Sequence, residues 1–184
     1  MSSLRQVSSC KRSDSLLRFR RTLLHHFQLL PGTVNASSPH ERFAATPHAR
    51  RAPYRLVWQT RRAATAGRSA VGRTVANLDH LLARLRASYA DFEVVSADFA
   101  RMPLREQMAT TFGADVFAGV HGAGLGHGLW MRPGSALIEV LLPQYVMGLF
   151  SNLARWIGAN YLSWLHDSPK QRAGTCNCAP SSSD

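Results

Sequence analysis

Residues 114–120, Ala-Asp-Val-Phe-Ala-Gly-Val, form a short apolar run that passes directly into a glycine-rich turn. A run with so few polar positions is typical of a β-strand that is covered on both faces, as strands are in a parallel sheet. The helices that connect parallel strands provide this cover. The run therefore favours an α/β domain.

The segments around this run alternate between strand-like and helix-like patterns. Five strands are predicted, at residues 54–60, 92–97, 114–120, 135–142 and 159–165. Five helices are predicted, at residues 15–30, 75–89, 103–113, 125–131 and 145–158. This alternation predicts an open, Rossmann-like parallel sheet with helices on both faces, and ligands of such sheets bind at the carboxyl ends of the strands.

The first predicted helix is amphipathic. Its expected apolar face follows three- and four-residue steps along Leu16, Phe19, Leu23, Phe27 and Leu30. Residues 14–53 combine this helix with a proline-containing loop, and residues 54–166 are predicted to form the Rossmann-like domain. The polar ends, a basic N-terminus at 1–13 and a tail at 167–184, are expected to be disordered.

Basic residues are concentrated in the first third of the chain. The formal net charge is +11, and residues 1–62 hold 12 of the 22 basic residues but only 2 of the 11 acidic ones. One interpretation is a non-catalytic arginine-rich protein that binds anionic partners such as nucleic acid. Because no motif of a nucleic-acid-binding fold accompanies the charge, this is the weaker alternative.

The cysteine spacing and the length of the apolar runs disfavour four other classes of protein. The three cysteines, Cys10, Cys176 and Cys178, have a spacing that fits neither a disulfide framework nor a zinc site. The chain has no run of about 18 apolar residues, and its first 30 residues lack the apolar core of a signal peptide. We therefore expect neither a membrane span nor a secretion signal within this chain.

The segment His121–Gly124, which we call the glycine turn, connects the central strand to the next helix. Gly122 and Gly124 allow unusual backbone dihedral angles and a close approach to a ligand. Unpaired N–H groups at the start of the helix would face that ligand, which favours an anion such as a diphosphate. The segment lacks the P-loop lysine, the third glycine of a dinucleotide fingerprint and the serine of a nucleophile elbow. It therefore predicts an anion site of a different kind.

Two ionisable residues close to the turn each have two interpretations. His121 either caps backbone groups in the core or contacts a ligand, and a metal site with His127 is disfavoured because no third ligand is near. Glu139 lies in an apolar strand, so it needs a partner such as a hydroxyl, an amide or Arg132. Its chemistry alone leaves structural pairing and ligand binding open.

Residues 114–143, ADVFAGVHGAGLGHGLWMRPGSALIEVLLP, resemble the signature segment of glycosyltransferase family 61. That signature combines an apolar strand, His-Gly-Ala-Gly-Leu, a short helix, Pro-Gly and a strand with a glutamate. The segments RLVWQTRR, GRTVANLDHLLARL and PLREQMATTFGADV resemble its flanking parts, and the resemblance covers residues 14–166. The family includes EGF-domain O-GlcNAc transferases and plant xylosyl- and arabinosyltransferases.

The resemblance implies an inverting enzyme of GT-B architecture, in which two Rossmann-like domains face a cleft and the C-terminal one binds a nucleotide sugar without a metal motif. It implies a diphosphate site made of His121 and the backbone amides of Gly122, Ala123, Gly124 and Leu125. It further implies that Arg61 or Arg62 balances the charge and that Glu139 accepts ribose hydroxyls. Arg73 and Asn77 match the family pattern without a role that we can derive, and Gly126 departs from it, since the family usually has threonine there.

The implied activity is transfer of a sugar, GlcNAc or a pentose such as xylose, from a UDP-linked donor to a hydroxyl of a protein or glycan. The nucleotide sugar is the substrate, no separate cofactor is implied, and the family places the reaction in the Golgi or endoplasmic reticulum lumen. The family's N-terminal domain and membrane anchor have no counterpart here. We therefore expect the chain to be a fragment that retains donor binding, with its catalytic base elsewhere.

Overall fold

A computed structural model of the chain describes residues 13–30, 52–60, 74–141 and 148–165. Its strands are β1 (Tyr54–Gln59), β2 (Phe92–Ala97), β3 (Val116–Val120), β4 (Ala136–Leu141) and β5 (Asn160–Leu165). Its α-helices are α1 (Asp14–His26), α2 (Leu78–Ser88), α3 (Leu104–Phe112) and α4 (Leu149–Ile157). Two 3-10 helices complete the fold, Phe99–Arg101 and Ala123–Trp130, and we call the second one the turn helix.

The five strands form one sheet in which every neighbouring pair is parallel, in the order β2-β1-β3-β4-β5. The chain leaves β1 toward β2 on one side and returns to β3 on the other, so the direction of winding reverses between β1 and β3. In open parallel sheets, ligands bind beside such a reversal, at the carboxyl ends of the strands. The predicted α/β Rossmann-like fold is confirmed, and the glycine turn begins where β3 ends.

Alternating residues of the strands pack into two apolar layers. On one face, Val57, Phe117 and Leu137 pack with the buried residues of α4. On the other face, Trp58 and Ala118 pack with residues of α2. Strands β1 to β4 contribute to both layers because successive side chains point to opposite faces, which explains why β3 is apolar along its whole length.

A third apolar cluster joins α1 and α3 to the turn helix through Leu24, Met108 and Trp130. The short helix predicted from residue 125, after the glycine turn, is present as a 3-10 helix that begins earlier, at Ala123. The tighter winding brings residues three apart onto one face. No helix in the described ranges is long and apolar enough to cross a membrane.

The predicted apolar face of α1 is wrong at Phe19, which is 53% exposed, and the buried positions of this helix are Leu17, Arg20 and Leu24. Arg20 is buried completely, and its Nη2 donates hydrogen bonds to the carbonyl oxygens of Trp130 and Met131. Burial lowers the pKa of this guanidinium to about 10. The face of α1 that contains Arg20 is turned toward the protein interior. The two carbonyls lie at the end of the turn helix, where they need hydrogen-bond donors, and Arg20 supplies these.

Several sequence-based expectations fall outside the described residues. They concern the ends 1–12 and 167–184, the loop 31–51, and Arg61, Arg62 and Arg73. Much of the arginine-rich segment on which the alternative function depends therefore also lies outside them.

We expect Arg20→Ala to lower the free energy of unfolding by roughly 3 kcal/mol, because two carbonyls lose a charged donor and the helix loses packing. Denaturation followed by circular dichroism measures this change. Arg18→Ala, on the exposed side of the same helix, is the matched control and should change stability by less than about 0.5 kcal/mol. Equal losses in both variants would contradict an anchoring role for Arg20.

Candidate anion site at the glycine turn

The backbone of the glycine turn depends on Gly122. This residue has φ 154° and ψ 173°, a conformation that only glycine adopts without large strain. The turn then enters the turn helix, in which the N–H of Leu125 donates to the carbonyl of Gly122 at 2.9 Å. Gly122 thus allows a sharp change of direction between β3 and the turn helix.

The first N–H groups of the turn helix lack a backbone partner among the described residues. Within the described ranges, those of Ala123 and Gly124 donate to no carbonyl oxygen, and Leu125 provides the first N–H that does. Ala123 and Gly126 are exposed, while Leu125 is buried completely in the core. Unpaired N–H groups at a helix start, together with the dipole of the helix, favour a bound anion.

Gly124 lies against the side chain of Gln59, whereas a ligand is expected there from the sequence. It has no positive φ, and a Cβ built on it would lie 2.6 Å from Cδ of Gln59. The absence of a side chain at Gly124 therefore makes room for Gln59, at the end of β1. The expectation that Gly124 has unusual dihedral angles is wrong, whereas its part in binding a ligand stays a prediction.

The buried carboxylate of Glu139 joins His121 to Tyr161. Glu139 has no exposed surface, its Oε1 is hydrogen-bonded to Nδ1 of His121, and its Oε2 accepts from the Tyr161 hydroxyl at 2.5 Å. An ionised carboxylate only accepts, so Nδ1 of His121 carries the proton. His121 is 6% exposed, and its ring lies edge-on to Phe150 with the ring centroids 5.5 Å apart.

Burial raises the pKa of Tyr161 well above its ordinary value, and the hydrogen bond to Glu139 and the charge of Glu139 raise it further. The phenol therefore stays protonated and acts as a donor to the carboxylate at physiological pH. The sequence analysis missed Tyr161. Its position follows from the register of β4 and β5, in which Tyr161 and Ser163 pair with Leu137 and Glu139, and no pattern within β5 alone contains this register.

Glu139 therefore has both a hydroxyl partner and an imidazole partner. Arg132, another partner that the sequence allows for Glu139, instead pairs with Asp115 at 3.3 Å. The ribose-binding role implied for Glu139 stays a prediction. The geometry gives this carboxylate a more immediate task, which is to fix the ring of His121 beside the turn.

The remaining candidate residues are spread around this edge of the sheet. Asn77 directly precedes α2 as its N-cap and makes no capping hydrogen bond through its side chain. His127 lies edge-on to Phe99, with centroids 4.8 Å apart, and burial lowers its pKa. No group of three His, Cys, Asp or Glu side chains within the described ranges is arranged to hold a metal ion.

A small cleft lies at the reversal between β1 and β3. Both strands contribute to it at their carboxyl ends, and the start of α2 also lines it. Its lining is apolar with three polar side chains: Trp58, Gln59, Thr60, Thr74, Val75, Leu78 and Val120. This is the position at which an open parallel sheet is expected to bind a ligand.

Comparison with known proteins identifies the family to which this chain is similar. The family model Glycosyltransferase 61 matches residues 10–138. The EGF domain-specific O-linked N-acetylglucosamine transferase of Drosophila melanogaster is 34% identical over 158 residues, which are 86% of this chain and 26% of that protein. The transferases of the same name from Xenopus laevis and Mus musculus are 35% and 31% identical over 99 and 98 residues, or 53% of this chain and 18% of theirs.

This chain therefore spans about a quarter of the length of the Drosophila relative and less of the vertebrate ones. The family match ends just before Glu139, so the carboxylate and Tyr161 both lie beyond it. The match includes β1 to β3, the glycine turn and the first half of β4. With more than half of its residues matched by the family model, the chain belongs to the glycosyltransferase 61 family.

Proposed function

We propose that this chain is the nucleotide-sugar-binding part of a glycosyltransferase. The enzyme transfers GlcNAc or a pentose from a UDP-linked donor to a hydroxyl of a protein or glycan, with inversion at the anomeric carbon. Family membership supports the transferase activity, and the names of the relatives favour GlcNAc and a protein acceptor. The lumen of the endoplasmic reticulum or Golgi is the compartment that the family resemblance implies.

The observation that carries this proposal is the pair of N–H groups of Ala123 and Gly124, which follow His121 beyond the carboxyl end of β3 and donate to no backbone carbonyl of the described residues. In the proposed complex they donate to the diphosphate of the donor. His121 adds a third polar contact by donating from Nε2 while its Nδ1–H stays bound to Glu139, so in the proposed complex both ring nitrogens carry a proton. These groups stabilise the negative charge that develops on the leaving diphosphate when the bond to the sugar breaks.

Transfer also requires an acceptor hydroxyl in line with the leaving group and a base that takes its proton. Glu139 is a poor base for this purpose, because it is fully buried and both its oxygens already accept hydrogen bonds. We propose that the base and the acceptor site lie outside the described residues. Arg61, Arg62 and Arg73 remain candidates for balancing the diphosphate charge.

Calorimetric titration of the 184-residue chain with UDP tests the proposal. We expect saturable binding that weakens about tenfold in Glu139→Gln, because His121 loses its anionic acceptor. Glu106→Gln makes the same chemical change on the exposed surface of α3 and should not alter the affinity. The proposal fails if the unaltered chain binds no UDP, or if both variants bind it equally well while their circular dichroism spectra stay native.

A substitution at Gly126 tests the proposal through an expected gain in UDP affinity. A Cβ built at this exposed residue would have no atom within 4 Å, so a larger side chain fits. We expect Gly126→Thr, which adds the hydroxyl usual in the family, to tighten UDP binding by about threefold through one further hydrogen bond. Gly126→Val has the same shape without the hydroxyl and should give no gain. An equal gain in both variants would contradict the hydrogen bond.

A further inference from the structure

The side chain of Gln59 fills the space that a side chain on Gly124 would need. A Cβ on Gly124 would lie 2.6 Å from both Cδ and Nε2 of Gln59, and 2.8 Å from its Oε1. Because these distances are shorter than any real carbon contact, the amide of Gln59 must lie directly against the backbone of Gly124. Gly119 gives the amide room on the sheet, since its Cβ would lie 3.3 Å from Oε1 of Gln59.

The sheet holds Gln59 firmly in this position. The residue is 6% exposed, and its Nε2 donates to the carbonyl of Thr60 at 3.0 Å. Thr60 is in turn fixed to β2, because its N–H and its hydroxyl both donate to the carbonyl of Ala97, at 2.8 and 3.1 Å. The amide is thus a rigid support that projects from the end of β1 toward the glycine turn.

The oxygen of this amide receives no hydrogen bond from any residue that the structure describes. A buried acceptor without a donor destabilises the folded state, so hydrogen bonding does not explain why the side chain is placed here. Packing does explain it, because the amide fills the gap between the sheet at Gly119 and the turn helix at Gly124. Its shape, more than its polarity, is what the neighbouring glycines match.

We propose that Gln59 is a positioning residue of the donor site. Through its contact with Gly124, it fixes the distance between the glycine turn and the end of β1. It thereby fixes the direction of the N–H groups of Ala123 and Gly124. This inference rests on the proposed function, in which those two groups bind the diphosphate. A hydrogen bond weakens steeply as its distance and angle depart from the optimum, so a small shift of the turn lowers the affinity for the donor.

Four variants of the full chain separate shape from polarity. Gln59→Ala removes the support, and we expect it to weaken UDP binding about tenfold, whereas Gln59→Met keeps the length of the side chain and should bind within about threefold of the unaltered chain. Gly124→Ala introduces the clash and should weaken binding at least tenfold. In the double variant Gln59→Ala/Gly124→Ala, the new methyl group occupies the vacated space, so affinity should recover to within about threefold.

The amide resonances of residues 123 and 124 provide a readout without ligand. In proton–nitrogen correlation spectra, they should shift in each alanine single variant and return toward their original positions in the double variant. Gly148→Ala controls for the general effect of replacing glycine, since its Cβ would have ordinary contacts at 3.6 and 3.8 Å. It should leave both the resonances and the affinity unchanged.

Two results would overturn the inference. If Gln59→Met loses as much affinity as Gln59→Ala, the amide binds the ligand directly instead of positioning the turn. If the double variant binds no better than Gly124→Ala alone, the two residues are not coupled. Failure of the proposed function gives a different result, because the unaltered chain then binds no UDP. In that case Gln59 has no role in donor binding. The amide resonances of the turn can still show the contact between Gln59 and Gly124.

Discussion

The buried carboxylate of Glu139 is the interaction on which the candidate site depends. It lies on β4 and binds His121, just after β3, and Tyr161 of β5, so one side chain joins three neighbouring strands. A buried charge without partners would strongly destabilise the fold. Because each of its two oxygens accepts a hydrogen bond, the carboxylate is stabilised, and it also fixes the orientation of the His121 ring.

The turn helix is held at both ends by groups that come from distant parts of the chain. At its start, Gln59 of β1 lies against Gly124, and at its end the Arg20 guanidinium binds the carbonyls of Trp130 and Met131. A 3-10 helix of eight residues has weak internal hydrogen bonding, so it needs such external supports. Its first N–H groups are consequently presented in a defined orientation, which is the condition for preorganised binding of a charged group.

The local patterns of the sequence predict the elements well and their contacts poorly. β3 and the glycine turn follow from a short apolar run and its glycines, because both patterns depend only on neighbours along the chain. The contact of Tyr161 with Glu139 depends on how β4 and β5 pair, and the contact of Gln59 with Gly124 depends on how β1 and β3 pair. No local pattern contains this register. Arg20 was missed for a related reason, since a cation on an amphipathic helix ordinarily marks the solvent side, and its buried carbonyl partners lie 110 and 111 residues away.

The charge balance of the site follows from these contacts. Glu139 brings a negative charge close to the place where the proposed diphosphate would lie, and like charges repel strongly in a poorly solvated site. Both of its oxygens accept hydrogen bonds from donors that screen it, and both are fully buried beneath the turn. The backbone N–H groups supply only partial positive charge. A diphosphate therefore needs full cations as well, and the arginines at positions 61, 62 and 73, which flank β1 and α2, are the nearest ones along the chain to the cleft between β1 and β3. In the proposed complex the turn would determine where the phosphates lie, and these arginines would contribute most of the attraction.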